Sequence, residues 1–456
     1  MASISTSNVT SGFIDLATFD EIEKYLYGGP DATAYFVRET RKSTWFTQVP
    51  VVLSRASGAP AFGQEWAVSI SRAGDYLLQT WLRLTTPAVT LLSGNQAGVN
   101  GRIRWTKNLM HNIIRECCIT FNDLVAARFD NYQLDFWAAF TVPAGKRGGY
   151  NNMIGNFSAL TSPQTTLNSA TLNLPLPFFY GRDSGVALPT AALPYNEMRI
   201  SFSFRDWSDL LILENSTLPA EQRLNIVPST DLGGVPGLGN TQVWANYAIV
   251  SNDERKRMAC APRDILIEQV QTAPRQNYNP ATNPTPNFDV RFSHAIKVLF
   301  FAVRNKTWLS EWSNYMTASP VSNGTTLNTP TGSADPILQT SLIYENTNRL
   351  AQMGSDYFSL VNPYFHAPVI PTETGYHSYS YSLDFICLDP MGSTNYGKLT
   401  NVSVVPEASQ AASTAAGGTG GPASGANFAQ SYEFIITAVN NNIIRVSGGA
   451  LGFPVL

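Results

Sequence analysis

From about residue 30 onward the apolar positions of this 456-residue chain recur with a period of two. Side chains of an extended strand point alternately to opposite faces, so this period predicts half-buried strands. Met198-Arg199-Ile200-Ser201-Phe202-Ser203-Phe204-Arg205 alternates without a break. Leu78, Thr80, Leu82 and Leu84 alternate with Gln79, Trp81 and Arg83, and the turn Ala73-Gly74-Asp75 before them predicts a hairpin from Val68–Ile70. Trp105, Ile119–Ala126, Gln242–Val250 and Asp264–Gln271 supply further strands. Ala295–Val303 is apolar nearly throughout and predicts a strongly buried strand. Tyr379, Tyr381, Leu383, Phe385 and Cys387 share one face of another, with Ser378, Ser380, Ser382 and Asp384 opposite. Phe434–Val439 and Ile443–Val446, joined across Asn440-Asn441-Asn442, close the chain.

The helical period appears in two short places. Residues 1–12 are rich in Ser and Thr and are expected to be mobile. Thr18-Phe19-Asp20-Glu21 then has the pattern of a capping box, and Phe19, Ile22 and Leu26 recur at helical spacing until Gly28-Gly29. Such an arm either packs on its own domain or docks on a partner, and the pattern is compatible with both. Ser251-Asn252-Asp253-Glu254 is a second capping box, opening a charged helix to about Met258. It divides the chain into an arm (1–29), a first β domain (30–250), a helical connector (251–263) and a second β domain (264–456). Gly-, Ser-, Asn- and Thr-rich stretches at 145–173 and 312–338 read as surface insertions, and 407–430 is of low complexity.

Length supports this division, because 456 residues exceed what one core usually organises. Gly (33), Pro (28), Tyr (19) and Phe (24) suit many short strands joined by turns. Charged residues are only 14% of the chain, against about 25% in ordinary soluble domains. A surface covered by copies of itself and a charge-poor secreted β-protein both fit that figure. The net charge of −3 leaves no basic stripe, so no direct nucleic-acid binding is expected. Cys117, Cys118, Cys260 and Cys387 form neither a disulfide framework nor a zinc pattern and fit a reducing compartment. The opening MASISTSNVTSG has neither a basic region nor an apolar run of the secretory kind, and Ala2 does not fit N-myristoylation.

A catalytic constellation is not found. His111, His294, His366 and His377 have no partners at metal-ligand spacing. Gly233–Gly239 contains a proline and precedes a strand, so it reads as a turn and not a phosphate loop. Trp45, Trp66, Trp81, Trp105, Trp137, Trp207 and Trp244 read as core or packing residues. Asn8, Asn156, Asn215, Asn305, Asn323 and Asn401 start N-x-S/T triplets of the kind a Ser/Thr-rich chain produces by chance. No catalytic, cofactor-binding or metal residue is assigned, and no cofactor.

Five segments, in order, resemble the major capsid proteins of iridoviruses, within the nucleocytoplasmic large DNA viruses. They are SGFIDLATFDEIEKYLYGGPDATAYFVRETRKSTWFTQVP (11–50), WTKNLMHNIIRECCITFND (105–123), LPFFYGRDSGVALPTAALPYNEMRISFSFRDW (176–207), DPMGSTNYGKLTNV (389–402) and NNNIIRVSGGALGFPVL (440–456). The resemblance implies an all-β double jelly roll, two tandem eight-stranded barrels with a short N-terminal helical arm. It implies a non-enzymatic homotrimer, a pseudo-hexagonal capsomer that meets neighbouring capsomers in an icosahedral shell over an internal viral membrane. The virion would be assembled in the host cytoplasm. By the same analogy the insertions face outward, toward host surfaces. Phe19, Ile22 and Leu26 of the arm would contact minor capsid proteins or the membrane side. A carbohydrate-binding β-sandwich and a jelly-roll hydrolase are the rival readings.

Overall fold

Alternation becomes strand wherever one face of a segment finds a core, and it does so repeatedly here. The computed structural model describes residues 2–92, 101–215, 227, 229–317, 321–322, 327–328, 334–418 and 429–454. The chain forms two units, residues 1–45 and 46–456.

In the first unit, α1 (Ala2–Ala17) is helical where a mobile segment was expected. Its hydroxyls bond back to carbonyls of the preceding turn, as Thr10 does to Thr6 (3.0 Å) and Ser11 to Asn8 (2.9 Å), so Ser and Thr content is compatible with helix. α2 (Glu21–Leu26) follows. The expected capping box at Thr18 does not form, because the Thr18 hydroxyl donates to the Asp15 carbonyl (2.6 Å). Asp20 is the cap instead, accepting from the Ile22 N–H at 2.8 Å. Gly28 and Gly29 then turn the chain at φ +98° and +107°, which side chains disfavour.

The second unit contributes first, in chain order, β1 (Phe46–Val52), β2 (Ser54–Gly58), β3 (Glu65–Ser69), β4 (Tyr76–Thr85), β5 (Gly101–Trp105), β6 (Ile114–Phe121), β7 (Leu124–Phe129), β8 (Thr171–Pro175), β9 (Met198–Phe204), β10 (Leu211–Asn215) and β11 (Gly239–Val250). One antiparallel sheet has the order β1-β11-β4-β8 and another β2-β3-β9-β6-β7. Leu82, Leu84, Val243 and Tyr247 from the first share one core with Val68, Ile119, Ile200 and Phe202 from the second.

After Val250 come β12 (Arg263–Thr272), β13 (Phe288–Asp289), β14 (Ala295–Asn305), β15 (Ile337–Tyr344), β16 (Thr347–Gly354), β17 (His377–Ser380), β18 (Val402–Ala408) and β19 (Tyr432–Ser447). Their sheets run β12-β19-β14-β17, with three short strands added, and β13-β18-β15-β16. Leu299, Phe301, Phe434 and Ile436 face Leu342, Val402 and Val404 in a second core. Among the described residues every strand pairs within its own half.

The unbroken burial of β14 has a cause that alternation cannot show. One face lies on the second core, and the other is covered by α3 (Asn131–Thr141), whose Tyr132, Phe136 and Phe140 pack on Val298, Phe300 and Ala302. A strand covered on both faces is apolar throughout.

Several expectations are corrected. β3 and β4 are not a hairpin. The Ile70 N–H bonds to Met198 O (3.0 Å) in one sheet and the Asp75 N–H to Ala248 O (3.0 Å) in the other, so the turn crosses between sheets. Leu77, not Leu78, joins Thr80, Leu82 and Leu84 in the buried row, because the β4–β11 register shifts between Leu77 and Gln79. Ile119–Ala126 is a hairpin, turning at Asn122 and Asp123 with φ +48° and +64°. The strand expected over 379–387 ends at Ser380. Ser380 Oγ donates to Ser382 O (2.8 Å) and Ser382 Oγ to Asp384 O (3.2 Å), bending the chain and leaving Leu383 exposed. β19 is continuous across Asn440–Asn442, which stay in register with Gln269, Glu268 and Ile267.

The stretch 145–173 is not a surface loop. It forms α4 (Ala144–Ile154) and a short helix at Ser158–Thr161, and its Ile154, Leu160, Leu167 and Leu172 enter the first core. In 312–338, Tyr315 is buried and Val321–Ser322 pairs with Leu327–Asn328, while 318–320, 323–326 and 329–333 lie outside the described residues. In 407–430, β18 gives way to a helix at Gln410–Ala416, and 419–428 lie outside the description. α5 (Asn252–Cys260) extends past Met258, and Ser251 makes no side-chain cap bond. Arg255 Nε and Nη2 instead grip Asp75 at 2.8 and 3.0 Å, and Asp75 also accepts the Val250 N–H.

Candidate functional site: exposed apolar surfaces

Two histidines are buried in hydrogen-bond networks and two are half-buried. His111 is buried, with Nδ1 2.7 Å from Asp135 Oδ1 and Nε2 2.6 Å from the Tyr150 hydroxyl. Asp135, on α3, also accepts from Asn108 Nδ2 (3.2 Å), Ser313 Oγ (2.8 Å) and the Tyr315 hydroxyl (2.9 Å). This hub ties α3 to residues on both sides of α5.

Ser355, His377 and Asp335 come together without forming a catalytic relay. Ser355 Oγ (2.7 Å) and Asp335 Oδ2 (2.8 Å) meet the same ring nitrogen, Nε2. A relay needs them on opposite nitrogens, so that one takes the nucleophile's proton while the other is held by the carboxylate. His377 lies flat against Phe301, with ring centres 5.2 Å apart. Burial disfavours the Asp335 carboxylate, but His377, Ser355 and the Ile337 N–H outweigh it and hold the carboxyl below its ordinary value. His294 sits in a turn at φ +63°, and His366 Nδ1 lies 3.0 Å from Leu383 O. Among the described residues no group of three or more His, Cys, Asp or Glu is placed to hold a metal. The four cysteines are free thiols.

The interior holds charge that the composition did not suggest. Arg104 is 1% exposed and pairs with Glu214 (2.7 Å) and Glu311. Burial opposes its charge, yet the two carboxylates outweigh it and raise its affinity for the proton. Arg205 and Arg304 lie over the Trp312 ring at 3.8 and 4.3 Å. Burial is the main cause that pushes Arg205 down to about 10. Arg304 pairs with Glu433 (2.9 Å), and Glu268 with both Arg182 (2.9 Å) and Lys297. Arg104–Glu311, Arg205–Trp312 and Arg182–Glu268 each join a residue before α5 to one after it. The joint is therefore ionic and aromatic as well as apolar.

Two surfaces expose large apolar side chains. In unit 1–45, Phe19 is 49%, Ile22 70% and Leu26 71% exposed, and α2 buries none of its residues. Phe13, Ile14, Leu16 and Phe36 are exposed too, as is Trp45, which the core assignment does not fit. In unit 46–456, Leu360, Val361, Tyr364 and Phe365 lie exposed on consecutive helical turns after β16. Leu383 is exposed beside them, where its carbonyl meets His366. The sequence reading missed this patch. Its signal was the pair Tyr364-Phe365 in a segment lacking strand alternation.

Comparison with known proteins identifies the family. Residues 34–250 match the family described as major capsid protein N-terminus, and residues 254–452 that of the large eukaryotic DNA virus major capsid protein. The major capsid protein of Costelytra zealandica iridescent virus is 70% identical, with all of both chains covered. That of Frog virus 3 (isolate Goorha) is 48% identical, again over both whole chains. The chain belongs to the iridovirus major capsid protein family. Members of this family are structural proteins of the virion capsid, not enzymes. Among solved structures, the chain resembles the PBCV-1 virus capsid (TM-score 0.72, 20% identity, 93% of this chain and 100% of that one). It also resembles the Faustovirus major capsid protein (TM-score 0.70, 12% identity, 91% and 93%). These likenesses establish the fold: the paired sheets on either side of α5 are a double jelly roll, preceded by a helical arm.

Proposed function

We propose that three copies of this chain form a pseudo-hexagonal capsomer, and that capsomers tile the outer icosahedral shell of a large double-stranded DNA virus over an internal membrane. The observation that carries this reading is the exposed patch of Leu360, Val361, Tyr364, Phe365 and Leu383. Apolar side chains gathered at one place make a poor surface for a free monomer and a good core for an interface. Two barrels per chain, taken three times around a closed axis, supply six similar units suited to hexagonal packing. The division into arm (1–29), first barrel (30–250), connector (251–263) and second barrel (264–456) belongs to the same proposal. Phe19, Ile22 and Leu26 are assigned to inner-layer contacts with minor capsid proteins or the membrane side, and outward loops to host surfaces. Assembly is assigned to the host cytoplasm.

Light scattering on the purified chain tests the trimer. A species of three times 49.8 kDa is expected, and a strict monomer at micromolar concentration overturns it. Deleting residues 1–28 should leave soluble trimers but impair particle assembly, and normal particles from that deletion would refute the role given to the arm.

A further inference from the structure

We infer that the cleft between α3, α4 and the Pro175–Phe178 segment binds the carboxylate and chain of a single long-chain fatty acid. The cleft has a volume of about 600 Å³ and is walled by Leu134, Trp137, Met153 and Phe178. That size and apolar lining suit a small amphipathic molecule.

Charge selects the head group. Lys146 and Arg182 line the cleft, and no Asp or Glu does. Lys146 makes no side-chain hydrogen bond or ion pair among the described residues. Arg182 shares Glu268 with Lys297, so these two cations have that one carboxylate between them. An anion there is favoured over a neutral or cationic head.

The glycines of α4 add an independent reason. Gly145 and Gly149 line the cleft one helical turn apart, and a Cβ at either would meet nothing within 4 Å. Glycine costs a helix about 1 kcal/mol relative to alanine. No close contact requires it here, so a side chain at either position would have room to project beside the cleft.

The test uses the full-length chain, freed of lipid and titrated by calorimetry with dodecanoate, tetradecanoate and hexadecanoate below their micelle thresholds. One ligand per chain is expected, binding about fourfold tighter for each added methylene until the cleft is filled. Hexadecanol should bind at least about tenfold more weakly, since it lacks the charge. Gly149→Leu should fill the space and abolish binding, with no fall in thermal stability. Lys146→Glu, at an exposed position, should weaken the acid at least about tenfold and leave the alcohol unchanged. Absence of binding to the unmodified chain overturns the inference, as does equal affinity for acid and alcohol. Unchanged binding to Lys146→Glu does so even if Gly149→Leu fails to fold. Displacement of the ligand on oligomerisation also overturns it, because a neighbouring chain would then be the occupant.

Discussion

Arg104→Met isolates the contribution of ionic pairing to the joint. Arg104 lies between Glu214 and Glu311, with the guanidinium 1% exposed and each carboxylate 7%. At an effective dielectric of about 20, each contact represents on the order of 4 kcal/mol of attraction. Removing the three ions from water offsets most of that in the native protein. Methionine keeps much of the apolar stem but strands two carboxylates facing each other without a cation. Breaking a buried pair in this way costs about 3–5 kcal/mol. Against a total stability of about 5–15 kcal/mol, that is a large fraction.

Urea unfolding of the soluble chain, followed by tryptophan fluorescence, should show the midpoint of Arg104→Met falling with little change in slope. The triple variant Arg104→Met, Glu214→Leu, Glu311→Leu removes every charge of the cluster and should recover most of the loss. A loss below about 1 kcal/mol for the single variant would refute the reasoning, because a stranded buried charge cannot be that cheap. A triple variant as unstable as the single would show that Arg104 acts through its packing and not through its charge.

Phe136→Ala opens a cavity where α3 meets Phe300, Tyr315 and Tyr376, and should cost about 3–5 kcal/mol in the same assay; a cost below about 1 kcal/mol would mean α3 is not anchored there. The Asp335 carboxyl is held below its ordinary 3.8, so its stabilising effect is full above that value and disappears as pH falls through the lower folded value. The stability difference between the unmodified chain and Asp335→Asn should therefore shrink as pH falls below about pH 4; a difference that grows there on acidification would reverse the sign. Tyr364→Ser with Phe365→Ser should leave the unfolding midpoint within about 0.5 kcal/mol, since both side chains are 70% exposed, and should lower the oligomeric mass in light scattering. Unchanged mass would remove the patch from the interface.

Alternation made the sheets legible but not their partners. It identified β9, where every second residue from Met198 to Phe204 is buried. It could not tell that the turn before β4 crosses to another sheet, because period two fixes a face and says nothing about a neighbour. Local chemistry misled where side chains compete with the backbone. The serines after β17 read as one face of a strand, yet their hydroxyls take up main-chain groups and bend it. The helix α3 was invisible for a different reason. Tyr132, Gln133, Leu134, Asp135 and Phe136 are all buried, so it shows no polar stripe to betray a helical period.

The arm residues and the charged joint mark the two ends of what a sequence can say about sites. Phe19, Ile22 and Leu26 stand out as apolar residues at helical spacing in a polar tail; all three are solvent-exposed, and their contact role is part of the proposal. The charges at the joint were hidden because their partners lie far apart in sequence: Arg104 and Glu311 are separated by 207 residues. From composition alone, low overall charge reads as a property of the surface. Yet Arg104, Lys297, Arg304, Glu214, Glu268, Glu311 and Glu433 are all buried, so part of that small complement is inside. Apolar contacts alone tolerate sliding, whereas paired charges and a ring held between two guanidinium groups lose energy steeply when displaced. Because α3 and the ionic pairs join the halves at several points, the two barrels are held in one relative orientation. The proposed shell of many copies needs that, since an angular error in each copy would accumulate across it.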